Sequence, residues 1–344
     1  MKLFSACTRA PASIANLGCL FDVAALAVDA YWDVACLELL ENDVPRVELE
    51  VRGEWAGGLP SREKNLAYLS LLELSRELGL DLSRLLVKLR LEKGVPIARG
   101  LGSSAATIAA VASLVAHATE AAEDRRKLVA LCGRLEGLLG GSPHYDNVAA
   151  ALLGGLVVLG EVRSGRPNPV RVPWPEDLVV VIATPLDPLD YEEGEGLGKT
   201  GVMRSILPSS IELGEVVEMV SCAASFVEGL RRGDLALVGR AVSCGGPIEK
   251  ARAKFVRGYW ELKEGALKRG ALGFNLSGAG PSVFALASRE RAEEVADEIL
   301  SKWSRYYSSI EVRLTRPAEG ALSEHRQLKF DQPLNCLKES ASTG

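Results

Sequence analysis

Residues 96–107 read PIARGLGSSAAT, and the small-residue run after them continues to Ala118. Gly100 and Gly102 let the backbone approach an anion closely and take positive φ. A helix starting at the serines presents free N–H groups and the positive end of its dipole to the loop. Ser103 and Ser104 add hydroxyls, and the whole reads as a phosphate cradle. It is not a Walker loop, because no Gly-Lys-Ser/Thr ending follows, and it lacks the GxGxxG of a dinucleotide site. Taken alone, the stretch also admits a plain strand-to-helix turn capped by serines, the lesser of the two readings.

Outward from this loop, strand and helix signals alternate, which predicts an α/β or α+β class. Tyr31 to Val51 carries strand-like apolar clusters, and Val87 to Leu91 alternates as a half-buried strand does. Helices are predicted over Lys64–Leu78, Ala105–Ala118 and Asp124–Leu139, with Asp124 capping the third and Gly140-Gly141 ending it. Around Gly160 to Pro175 the composition shifts to Gly, Pro and Arg, marking a boundary or a long hairpin. Beyond it, Leu178–Thr184 is a continuous apolar strand. Glu212–Arg231, Leu235–Val242, Arg252–Lys268 and Arg289–Trp303 are helical, and Ile310–Leu314 is a closing strand. Residues after Ala318 read as a polar, weakly ordered tail.

The 344 residues fit about two domains at about 150 residues each. A net charge of −5 argues against a nucleic-acid binder, without excluding a nucleotide held by backbone N–H groups. No apolar run reaches the roughly 18 residues that cross a bilayer, and MKLFSACTRAPAS lacks a signal segment. The seven scattered cysteines contain no CxxC, so neither zinc nor a disulfide framework is expected, and a reducing cytoplasm fits.

Three further stretches accompany the loop. Residues 11–22 read PASIANLGCLFD, 142–155 read SPHYDNVAAALLGG, and 273–282 read GFNLSGAGPS. In this order and spacing the four resemble the signature motifs of the GHMP kinase superfamily, and its homoserine kinase family most closely, over about residues 5–316. The resemblance implies an α+β, two-domain fold. Its parts are an N-terminal α/β ATP-binding domain with a left-handed β-α-β unit over 1–160, and a ferredoxin-like C-terminal domain over 161–318. Residues 319–344 form a tail.

It also implies transfer of phosphate from ATP, with Mg²⁺, to the hydroxyl of L-homoserine on the threonine route. Ser104 and Glu136 match the metal ligands, though Glu136 also reads as an ordinary helix charge. Asn65 matches the adenine contact and equally a helix N-cap. Pro96, Ile97, Ala98, Arg99, Gly100, Leu101, Gly102, Ser103, Ser104, Ala105 and Ala106 match the nucleotide loop, and Thr200 a residue near the phosphates. Arg204 and Arg252 match the substrate carboxylate's partners, Asp22 the ammonium's, and Asn16 the residue orienting the hydroxyl. His144 and Asn147 line the same cleft by analogy. Asp146 stands where many relatives place a base, but it is assigned no base role here, and it also fits an N-cap. Gly278 to Gly280 is expected to pack against the loop. Asn16, Asn147, Asp146 and Arg204 make the catalytic set.

Cys19 and Leu20 replace the usual Pro-Gly, Gly245-Gly246 occupies a segment that often carries charged or bulky residues, and Arg99 sits where a small residue is usual. Arg99 either adds a phosphate contact or reaches solvent. Mevalonate-type and shikimate-type kinases, or a silent ligand-sensing relative, are the competing readings. A homodimer is compatible with the 47% hydrophobic content.

Overall fold

The computed structural model describes residues 1–140, 143–188 and 199–325. In chain order the elements are β1 (Lys2–Ala15), β2 (Ala24–Glu41), β3 (Arg46–Arg52), α1 (Leu66–Leu78), β4 (Leu85–Glu92), α2 (Ser103–Ala118), α3 (Arg125–Gly140), α4 (Asp146–Leu153), β5 (Leu156–Gly160) and β6 (Asn168–Val172). They continue as β7 (Leu178–Pro185), α5 (Lys199–Ser205), α6 (Leu213–Arg232), α7 (Leu235–Ser243), α8 (Gly246–Ala253), α9 (Tyr259–Lys268), β8 (Gly273–Leu276), β9 (Val283–Ser288), α10 (Ala292–Trp303) and β10 (Ile310–Thr315).

The first sheet runs β3-β4-β2-β5-β6, with β1 also on β2. Only β3 and β4 pair in parallel, and α1 connects them as a β-α-β unit. Along β4 the side chains alternate between buried and half-buried, as Val87–Leu91 predicts. Behind this sheet α2 is buried continuously from Ala105 to Ala116. Its Ala and Ser side chains are small enough for α1, α4 and β1 to pack close on several of its faces.

The second sheet runs β10-β7-β9-β8, all antiparallel. Numbered within the sheet, this is the 4-1-3-2 order of a ferredoxin-like unit. β7 is buried along its whole length, which explains its unbroken apolar run. Trp303, Tyr259 and Phe274 fill the core beneath it.

The Gly160–Pro175 stretch holds the β5–β6 hairpin, and the chain passes from one sheet to the other between Val172 and Leu178. Two readings change. The predicted helix over Arg252–Lys268 is two, α8 and α9, turned at Gly258, whose φ is +70°. Residues 319–325 are packed rather than a loose tail. Thr8 and Ser113 hydroxyls both donate to the Ala321 carbonyl, at 2.7 and 2.8 Å, and Arg9 pairs with Glu324 at 2.8 Å. Residues 326–344 lie outside the described ones.

The cysteines also correct the expectation. Cys7 and Cys36 face each other in register across β1 and β2 and form a disulfide. Cys222 on α6 bonds Cys244 just after α7. Cys19 and Cys132 are buried free thiols, and burial pushes Cys19 up to about 11.

Candidate active site

A cleft of about 430 Å³ opens between the two halves. One wall is the stretch 97–104 where β4 leads into α2. Ala98, Gly100 and Gly102 take positive φ of 57°, 78° and 65°, which curls the loop around a hollow at the start of α2. A Cβ on Gly100 would overlap the carbonyls of Ser277 and Gly280, and one on Gly102 would overlap the Ser13 hydroxyl. Both glycines are therefore fixed by packing as well as by φ.

The turn 277–282 closes the loop from the second domain, as expected. The Ser277 hydroxyl donates to the Gly100 carbonyl at 2.6 Å, the Gly278 N–H donates to the Ala15 carbonyl at 3.0 Å, and the Ser282 N–H to the Arg99 carbonyl at 3.2 Å.

Ile97, Ala98, Gly100, Gly102, Ser103 and Ser104 line the cleft, whereas Pro96, Arg99, Leu101, Ala105 and Ala106 do not. Leu101, Ala105 and Ala106 are fully buried in the core that anchors the loop, and Pro96 is buried too. Arg99 neither faces the cleft nor reaches solvent. It is 7% exposed, and its guanidinium donates to the carbonyls of Leu186 and Asp187 at 3.2 and 2.9 Å, tying the loop to the end of β7.

Ser104 and Glu136 are brought together, the hydroxyl donating to the carboxylate at 2.7 Å. Burial raises the Glu136 carboxyl, against the hydrogen bond from Ser104 and the charge of Lys93, which lower it. Asn65 caps α1 by accepting from the Ala67 N–H at 3.0 Å, and it also lines the cleft. Thr200 stands in the first turn of α5, and its side chain lies outside the described residues.

At the other end the substrate-type residues converge. The ANLGCLFD loop places Asn16 and Asp22 at positive φ, 61° and 57°, an uncommon conformation for residues other than glycine. The Asn16 side chain accepts from the Asp22 N–H at 3.1 Å. Asp22 pairs with Arg204 at 2.7 Å, and the Arg204 Nε donates to His144 Nε2. Arg252 is 4% exposed and donates to the Gly278 carbonyl at 3.0 Å; burial lowers it to about 10, so it stays charged at neutral pH.

The Phe21 ring lies under both guanidinium groups, 5.6 Å from Arg204 and 5.1 Å from Arg252. Asp146 opens α4, its carboxylate accepting the Asn147 N–H at 2.8 Å. Burial, then the charge of Asp22, pushes Asp146 up to about 7. Asn147 accepts from the Ser13 hydroxyl at 2.8 Å, which ties α4 to β1.

The sequence reading missed Lys93, Leu59, Pro60 and Phe21. The first three line the cleft, and Phe21 braces the arginines. Lys93 left a signal. Leu85, Val87, Leu89 and Leu91 point inward with period two, and position 93 continues that phase with a lysine.

Comparison with known proteins identifies the family and the fold. The model of the GHMP kinases N terminal domain matches residues 65–155, and that of the GHMP kinases C terminal domain matches 226–305. A homoserine kinase of Aeropyrum pernix is 38% identical over 296 residues, covering 85% of this chain and 91% of its own. One of Pyrobaculum aerophilum is 37% identical, covering 92% and 99%. The crystal structure of homoserine kinase from Cytophaga hutchinsonii superposes with a TM-score of 0.79 at 30% identity, covering 94% of this chain and 96% of that one. The chain, with its glycine loop closed by SGAGPS, belongs to the GHMP kinase family.

Proposed function

We propose that this kinase transfers the γ-phosphoryl group of ATP to the side-chain hydroxyl of L-homoserine, giving O-phospho-L-homoserine and ADP on the route to threonine. One observation carries the reading: a single cleft joins the phosphate loop to a cluster of Asp22, Arg204 and Arg252. That cluster offers one anion and two cations, the complement of an α-amino acid's ammonium and carboxylate. Relatives named homoserine kinase support the choice of acceptor.

In this reading Leu59, Pro60, Asn65 and Leu66 hold the base, and the first turn of α2 holds the phosphates. Ser104 and Glu136 fit Mg²⁺, since they are two oxygen donors in contact at the head of α2 and the carboxylate is desolvated. Among the described residues no cluster of three or more His, Cys, Asp or Glu exists to hold a metal, and Mg²⁺ in nucleotide sites needs only one or two protein groups. When bound, it neutralises charge on the phosphates.

Asn16 and Asn147 orient the acceptor hydroxyl toward the γ-phosphorus. The new O–P bond forms as the bridging O–P bond to ADP breaks, and the hydroxyl proton passes to a phosphoryl oxygen. Asp146 carries no base role in this scheme. A coupled ADP-release assay across homoserine, mevalonate and shikimate tests the reading. Turnover of homoserine is expected, and silence there with turnover of either other alcohol overturns it.

We also place a second copy of the chain on α6. Leu213, Val217, Val220 and Val227 are 53–78% exposed, and with Ala224 they repeat every three or four residues, the seam of paired helices. Arg231 and Arg232 pair with Glu228, and Glu215 pairs with Lys250, all within one copy, so the contact between antiparallel copies rests on the apolar stripe.

A further inference from the structure

We infer that Asp33, on the middle of β2 and outside the cleft, is a positioning residue that sets the shape of the phosphate loop by holding both of its ends. The β2–β4 ladder stops at Val34 opposite Glu92. The Lys93 N–H still donates to the Arg52 carbonyl of β3, and the chain then peels away into the loop, where the N–H groups of Gly94 and Val95 have left the ladder. The Asp33 carboxylate replaces a strand partner: Oδ1 accepts from the N–H groups of Gly94 and Val95, at 3.1 and 3.0 Å.

The other oxygen reaches the far end of the loop. Asp33 Oδ2 accepts from the Thr107 hydroxyl at 2.7 Å, one turn into α2, and from Lys93 Nζ. The same Lys93 ammonium donates to the Ser103 carbonyl at 2.8 Å, and the Ser103 hydroxyl returns to the Val95 carbonyl at 2.9 Å. Residues 96–102 are thus closed into a ring whose clasp is one carboxylate and one ammonium.

Asp33 is wholly buried and Lys93 is 3% exposed. A buried ion pair contributes little to stability compared with apolar residues of similar volume, so stability alone is a poor reason for it. A clasp of four directed hydrogen bonds on one side chain instead specifies geometry, here of the N–H groups that face the phosphates. Lys93 also lines the cleft, so the clasp touches the site from behind.

The inference rests on reading 96–107 as the ATP loop. Turnover by the unaltered chain tests that reading, and the ratio between variants tests this one. Asp33→Asn, Lys93→Met and the double variant are compared by steady-state kinetics and thermal unfolding in the full chain. Asp33→Asn is expected to raise KM for ATP by about tenfold while KM for the amino-acid acceptor stays within about twofold. The double variant, which leaves no orphaned charge, is expected to recover Tm without recovering KM for ATP.

If Asp33→Asn does not fold, Thr107→Val and Thr107→Ser replace it. Val removes the hydroxyl that donates to Asp33 and, more weakly at 3.4 Å, to the Ser103 carbonyl; it is expected to raise KM for ATP, and Ser is expected to restore it. An equal change in both KM values, no change in either, or recovery of KM for ATP together with Tm in the double variant overturns the inference.

Discussion

Glu136 and Asp146 are both carboxyls lining one cleft, and they are expected to behave differently. Glu136 touches Ser104, and its charge is needed if the pair holds a divalent cation. Glu136→Gln keeps the shape and removes the charge. It is expected to lower kcat by about 10²-fold or more in a Mg²⁺-supported assay, and retained activity would remove the metal assignment.

Asp146 makes a prediction about stability. Its carboxyl is raised to about 7 by burial, above the value of 3.8 it has when solvated. Protonation then favours the folded state. The stabilisation is present below about pH 4 and is lost as pH rises through about 7. Asp146→Asn does not titrate. Tm of the unaltered chain, measured without nucleotide or metal, is therefore expected to fall relative to the variant between pH 5 and 8. Parallel profiles would show that the group is not raised.

Much of the residue-level site was legible because short motifs keep their members together. SPHYDN carries His144, Asp146 and Asn147 within four positions, and ANLGCLFD carries Asn16 and Asp22 within seven. Asp33 and Lys93 are 60 residues apart and carry no local motif, so only the β2–β4 register brings them together. Arg99 was misread for a related reason. Its partners are the carbonyls of Leu186 and Asp187, and backbone acceptors have no sequence signature.

Among elements, periodicity located β4, β7 and α10, whose faces are cleanly buried or exposed. It missed β1, where Pro11 to Asn16 reads as a motif while the backbone pairs with β2 along nearly its whole length. It also could not pair the cysteines, because Cys7 and Cys36 meet only through that register.

The exposed stripe of α6 yields the prediction that belongs at this scale. Val220→Glu places like charges opposite each other at the centre of the antiparallel seam and is expected to convert a dimer to a monomer in sedimentation velocity. A monomeric unaltered chain would refute the α6 contact.

Across the whole molecule, the chain returns to its first domain after β10. Pro317 bridges to Val28 and Glu319 to Gly154, and Ala321 is fully buried beneath Thr8 and Ser113. Ending the chain after Pro317 removes the two hydroxyl bonds to Ala321, the backbone bonds of Ala318 to Ala27 and Gly155, of Ala321 to Ala151 and of Leu322 to Leu152, and the Arg9–Glu324 pair. At about 1 kcal/mol for each such bond, a fall in Tm of more than about 10 °C is expected by calorimetry. An unchanged Tm would mean that the clip contributes nothing.

The contact between Ser277–Ser282 and Gly100 has a consequence for the order of synthesis. The glycine loop leaves the ribosome some 175 residues before the turn that completes it, counting from Thr107 to Ser282. An N-terminal domain that folds as it emerges does so with its nucleotide wall open on one side. Nascent or prematurely terminated chains are then catalytically silent, and competence arrives only once SGAGPS has been translated and docked.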